Sequence, residues 1–127
     1  MRLFITLIVI LALTGCKQTR EEADRAFLAA AAECQKDSVL TRENVMQRVG
    51  CFEVALRQYG HAINYAIPWN FENWIVADRE SAKKFAAGQI SLIQFRDQVE
   101  QHRIAAAKVD EQAEEQLRAF QRQENGL

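Results

Sequence analysis

Chemistry near neutral pH needs a nucleophile, a titratable base or a set of metal ligands at compatible spacing, and this chain offers few of any. Its 127 residues include three cysteines, Cys16, Cys34 and Cys51, and two histidines, His61 and His102. Neither histidine has a carboxylate three or four positions away on its own helix face, so the Glu-x-x-His ligand arrangement is missing. His61 falls in a loop region, and His102 falls on an apolar helical seam where partial burial accounts for it. The few serines are read as turn residues, and helix capping explains Ser91. There is no glycine-rich phosphate loop, no Cys-x-x-Cys and no basic stripe. Acidic residues are plentiful but stand among Arg and Gln, which reads as a solvated helix exterior. The expectation is a protein with no catalytic residue, no metal and no cofactor.

Cys16 is the exception, because of what precedes it. Arg2 supplies a minimal positive start, residues 3–13 form an apolar run, and Leu13, Thr14, Gly15 and Cys16 follow. That is the layout of a secretory signal, and the run is well short of the ~20 apolar residues that cross a bilayer as a helix. The four residues resemble the lipobox of bacterial lipoproteins. The resemblance implies that Cys16 takes a diacylglyceryl thioether, that residues 1–15 are removed, and that the new amino group is acylated. Two or more acyl chains give stable anchoring where one does not. Lys17 stands where an inner-membrane retention signal would carry Asp, so the resemblance implies the outer membrane, facing the periplasm. The alternative is an ordinary secretory signal whose cysteine falls there by chance.

Removing residues 1–15 from the 127 leaves 112, enough for one domain with a core. Losing Arg2 takes Lys+Arg from 16 to 15 against 17 Asp+Glu, a net charge of −2. Such a balance gives no reason to expect nucleic acid as a partner. Export places Cys34 and Cys51 in an oxidising setting, where one disulfide is the default. The loop between them permits it, and closing it stabilises by ~3 kcal/mol in the chain-entropy model. Two buried free thiols are the alternative.

The rest of the chain reads as four helices, an all-α fold made of two antiparallel hairpins. Thr19 and Glu22 form a capping box, and Ala23, Phe27, Ala30 and Cys34 make one stripe of the first helix. Thr41 is the next expected N-cap, with Leu40 and Val45 as a hydrophobic staple. Val45, Val49, Phe52, Leu56 and Tyr59 follow at helical spacing, and Gly60 is expected to end that helix in the left-handed conformation. The chain then gathers Tyr65, Trp69, Phe71 and Trp74 around Pro68. Asn70 is expected to cap a third helix, with Trp69 and Trp74 as its staple. These rings are either a partner-binding surface or the base of a small core.

The third helix is expected to stop at Gly88, and Ser91 with Gln94 caps the fourth, stapled by Ile90 and Phe95. Residues 85–95 here resemble the small helical SHOCT module, a likeness that lies in turn chemistry and brings no function. The fourth helix carries Phe95, Val99, His102, Ala106, Val109, Ala113, Gln116 and Phe120, a heptad seam longer than any partner helix could cover. It suits packing on the first two helices or on a partner's helix. Leu117 and Phe120 are expected to stay uncovered near its free end, as a partner-binding site or as a fraying terminus. The functional expectation is a non-catalytic, lipid-anchored envelope scaffold or protein-binding module with an envelope protein as partner. The alternative is an inhibitor of an exported enzyme, such as a cell-wall hydrolase, acting through the 65–74 segment.

Overall fold

The computed structural model describes residues 18–36 and 39–126, and Cys16 with its lipobox lies outside them. The fold is all-α: α1 (Arg20–Glu33), α2 (Val45–Ala62), α3 (Pro68–Ala86) and α4 (Leu92–Asn125). Each helix packs on its neighbour in sequence, α1 on α2, α2 on α3 and α3 on α4. All three pairs run antiparallel. Asp24 of α1 and Cys34 at its C-cap meet Tyr59 and Cys51 of α2. Arg57 and Glu53 of α2 meet Glu72 and Arg79 of α3. Asn70 and Ser81 of α3 meet Ala106 and Gln98 of α4. The two expected hairpins are therefore joined by a third pairing into an up-and-down meander. The fourth helix lies along α3, not along α1 and α2 as its long seam suggested.

Local chemistry sets the boundaries. Thr19 and Ser91 both form full capping boxes, with Glu22 and Gln94. Thr41 and Asn44 exchange the same pair of backbone-to-side-chain bonds, at 2.8 and 3.3 Å, so the chain turns at Thr41 before α2 becomes regular at Val45. Gly88, at φ 74°, closes α3: its N–H bonds Phe85 O, and Gln89 N–H bonds Lys84 O. This doubled closure is the Schellman arrangement, in which a residue at positive φ satisfies the last helical carbonyls.

Three boundaries differ from the sequence reading, the first being that α2 starts at Val45 with Asn44, not Thr41, as its N-cap. Gly60 does not end α2, which continues to Ala62; the positive-φ residue is Asn64, at φ 49°. The third helix starts at Pro68, whose fixed φ and missing N–H suit a first helical position. Asn70 is therefore inside the helix and buried rather than a cap, and Trp69 and Trp74 lose their staple positions.

The core has two parts. At one end Val45, Ala82, Phe85 and Phe95 are buried together, with Leu40, Val49, Ile90 and Val99 packed around them. The Leu40–Val45 and Ile90–Phe95 pairs expected as staples end up in this cluster, and the rings of Phe85 and Phe95 stack at 5.4 Å. Toward the other end the filling is aromatic: Phe27 meets Phe52 and Tyr59, Tyr59 meets Phe71, and Phe71 stacks on Tyr65 at 4.0 Å. No described helix is long and apolar enough to cross a membrane.

Candidate functional site

Both α2 and α4 pack on α3, and beside the buried cluster where their side chains meet lies a groove of about 290 Å³. Its walls are Leu40, Val49, Phe52 and Leu56 from the α2 side, Ile75 from α3, and Phe95 and Val99 from α4. Cys34, Gln35 and Arg48 reach its edge, so it lies at the end of the molecule where α1 stops. The disulfide between Cys34 and Cys51, with Cα atoms 5.7 Å apart, holds the α1 terminus there. Val39 and Ile93 are left exposed at this same end, Ile93 at 81%.

Two buried carboxylates line the groove, where the sequence suggested only solvated ones. Glu53 receives two hydrogen bonds from Arg79, at 2.9 and 2.6 Å, and Arg57 stands 3.8 Å away. Asp78 lies 2.7 Å from Nδ1 of His102. Burial raises the Asp78 carboxyl above the ordinary carboxylate range, and His102, followed by the nearby Trp74, partly offsets this. The indole Nε1 of Trp74 is buried without a hydrogen bond of good geometry, so its influence on Asp78 is that of a nearby dipole. His102 is partly buried on the α4 seam as expected, with a carboxylate that comes from α3 rather than its own helix.

An acid and an imidazole in contact invite a search for a nucleophile. Ser81 lies one turn from Asp78, within α3 rather than at a turn, but its hydroxyl donates to Gln98 at 2.7 Å. The three side chains therefore do not form a relay of the kind that activates a serine, which needs the base hydrogen-bonded to the hydroxyl. Among the described residues no group of three His, Cys, Asp or Glu could hold a metal ion. What the groove can do is accept apolar side chains between walls pinned by ion pairs.

A second polar cluster fastens the opposite end. Asn70 donates from its amide nitrogen to Ala106 O at 2.9 Å, to Asp110 Oδ1 at 3.0 Å and to the Tyr65 hydroxyl at 3.0 Å. The Tyr65 hydroxyl also donates to Asp110. Burial, together with that carboxylate, pushes the Tyr65 phenol up to about 12. This cluster closes the start of α3 onto the middle of α4.

The aromatic segment is thereby divided. Tyr65, Phe71 and Trp74 are partly buried within the bundle, and Trp69 is left 57% exposed. On α4 the seam is covered as far as Ala113, whereas Leu117 and Phe120 are each 57% exposed. His61 is exposed at the end of α2. The buried acids and the groove itself were missed in the sequence because their partners lie on other helices. The one available signal was Pro68, which marks the true start of α3 and so the register of Ile75 and Asp78.

No protein-family model, curated protein or solved structure matches the chain.

Proposed function

We propose that this protein is a non-catalytic lipoprotein of the bacterial outer membrane, anchored through Cys16 and facing the periplasm, that binds an envelope protein in its α2–α3–α4 groove. The observation that carries the reading is the open apolar groove at the end of the bundle remote from the anchor. The first helix begins four residues after Cys16, and its 14 residues carry the chain about 21 Å before it reaches the groove edge at Cys34. A volume of 290 Å³ is small for a whole helix but suits one or two anchoring side chains, such as Leu or Phe. Exposed Val39 and Ile93 extend the apolar surface beyond it.

Photo-crosslinking in cells tests this. A crosslinker at Gln35, on the groove edge, traps one defined envelope protein, whereas one at Gln121, at the opposite end, does not. Val49→Phe, which fills the groove, abolishes the capture while leaving the melting temperature within a few degrees. Equal capture from both positions, or capture insensitive to Val49→Phe, rejects the reading. Inhibition of an exported enzyme through the 65–74 segment would rest on Trp69, since its other three rings are built into the bundle.

A further inference from the structure

The end of α4 and the beginning of α1 lie at the same end of the molecule. Arg20 lines one crevice together with Ile63, Tyr65, Asp110, Ala113 and Leu117. The last stretch of α4 continues past that crevice without cover from another described helix. From Leu117 to Asn125 it extends eight residues, about 12 Å at 1.5 Å per residue. From Cys16 to Arg20 the tether is four residues, at most about 14 Å when fully extended. Fully extended, the tether sets the bilayer about 14 Å from Arg20 at most, a distance comparable with the roughly 12 Å that α4 runs past Leu117. A tether at about half its full extension, roughly 7 Å, sets the bilayer beside the turn that carries Phe120, about 4.5 Å past Leu117.

The composition of that end suits lipid. Leu117 and Phe120 are three residues apart on one face, each 57% exposed. The charge changes sign along the helix as the membrane is approached. Asp110, Glu111, Glu114 and Glu115 precede Leu117; beyond it stand Arg118, which is paired with Glu114 at 2.8 Å, and Arg122, against Glu124. Large apolar side chains with cations alongside are what an interfacial helix presents to headgroups and acyl chains.

We propose that the C-terminal turns of α4 are a second membrane contact, in which Leu117 and Phe120 enter the headgroup layer of the bilayer that holds Cys16. This rests on the lipid-anchor reading. The contact fixes the bundle on the surface with its groove pointing away, instead of leaving it free to swing on its tether. The competing occupant of the same face is a second copy of this chain.

The test uses the full lipidated protein carrying Trp69→Phe and Phe120→Trp, reconstituted in phosphatidylethanolamine and phosphatidylglycerol vesicles. Some vesicles contain lipid brominated on the acyl carbons nearest the headgroup. The fluorescence added by Phe120→Trp, relative to Trp69→Phe alone, falls by at least half in brominated vesicles. Vesicle flotation separates the two readings. Protein that floats but loses less than a tenth of the added fluorescence overturns the second contact alone. Protein that does not float overturns the anchor, and the contact with it. A blue-shifted emission that bromine does not quench and that depends on the protein-to-lipid ratio identifies a second copy and overturns the proposal.

Discussion

Phe71 sets the edge of its ring against the backbone of Gly60, so that a Cβ at Gly60 would lie 2.7 Å from Phe71 Cδ2 and 2.8 Å from Cε2. The ring cannot retreat freely, because its other side stacks on Tyr65 at 4.0 Å. Gly60 is there to let α2 and α3 approach, not to end a helix. In a solvated helix Gly→Ala stabilises by about 1 kcal/mol. Here Gly60→Ala is expected to destabilise by about 1–3 kcal/mol, the usual cost of overpacking. Gly60→Ala combined with Phe71→Leu recovers part of the loss. Urea unfolding of the three proteins decides it, and a stabilised single variant refutes the contact.

The disulfide fastens a helix that, among the described helices, packs on α2 alone. Cys34→Ser with Cys51→Ser is expected to cost about 3 kcal/mol. The loss falls unevenly. Amide exchange in α1 speeds up on the order of a hundredfold, the equivalent of about 3 kcal/mol, while exchange in the α3 and α4 core around Ala82 and Phe95 changes by less than about tenfold. Uniform acceleration along the whole chain would show that α1 is held by more than α2 and the bridge.

Most of the fold was legible because it is written in local chemistry. Capping boxes at Thr19 and Ser91, the turn at Gly88 and the staple residues of the core all act within five positions of one another. The bare end of α4 was legible too, since a helix longer than its neighbours must outrun them. The site was not. Glu53 finds Arg79 26 residues away, Asp78 finds His102 24 away, and Asn70 finds Ala106 36 away. Helical periodicity reports which residues share a face but not which face of another helix they meet. A buried acid and a solvated one look identical until the partner is known.

Tyr65 makes the bundle sensitive to alkali. Its neutral hydroxyl donates to Asp110, and its pKa is pushed up to about 12, above the ordinary 10.0. A group whose pKa is raised by folding holds its stabilisation in full below the unfolded pKa and loses it as pH rises through the folded one. Stability is therefore expected to fall between about pH 10 and 12. Tyr59, raised by burial and its bond to Asp24, adds to the fall in the same direction. Tyr65→Phe is less stable at pH 8 by about 1–3 kcal/mol, having lost a bond to a charged group. It also shows a shallower alkaline loss. Phenolate absorbance and urea midpoints at pH 8 and pH 11 provide the check, and an unchanged alkaline slope in Tyr65→Phe would be contrary to it.

Asn70 makes two hydrogen bonds across the α3–α4 pairing, and its amide gives a pH test. Asn70→Ala removes bonds to Ala106, Asp110 and Tyr65, an expected loss of about 1–3 kcal/mol. Asn70→Asp keeps the shape but sets a second carboxylate where the amide nitrogen stood, 3.0 Å from Asp110 Oδ1. Two carboxylates that close cannot both ionise cheaply, so one is held protonated by folding and its pKa rises. The sign then follows from linkage: the raised acid stabilises at low pH and loses that contribution as pH increases. At pH 7.5 Asn70→Asp is expected to be less stable than Asn70→Ala. At pH 4.5 the order narrows or reverses, because a protonated Asp can again donate to Asp110 or to the Ala106 carbonyl. A gap between the two variants that is the same at both pH values would mean that Asn70 does not face Asp110 in the folded protein.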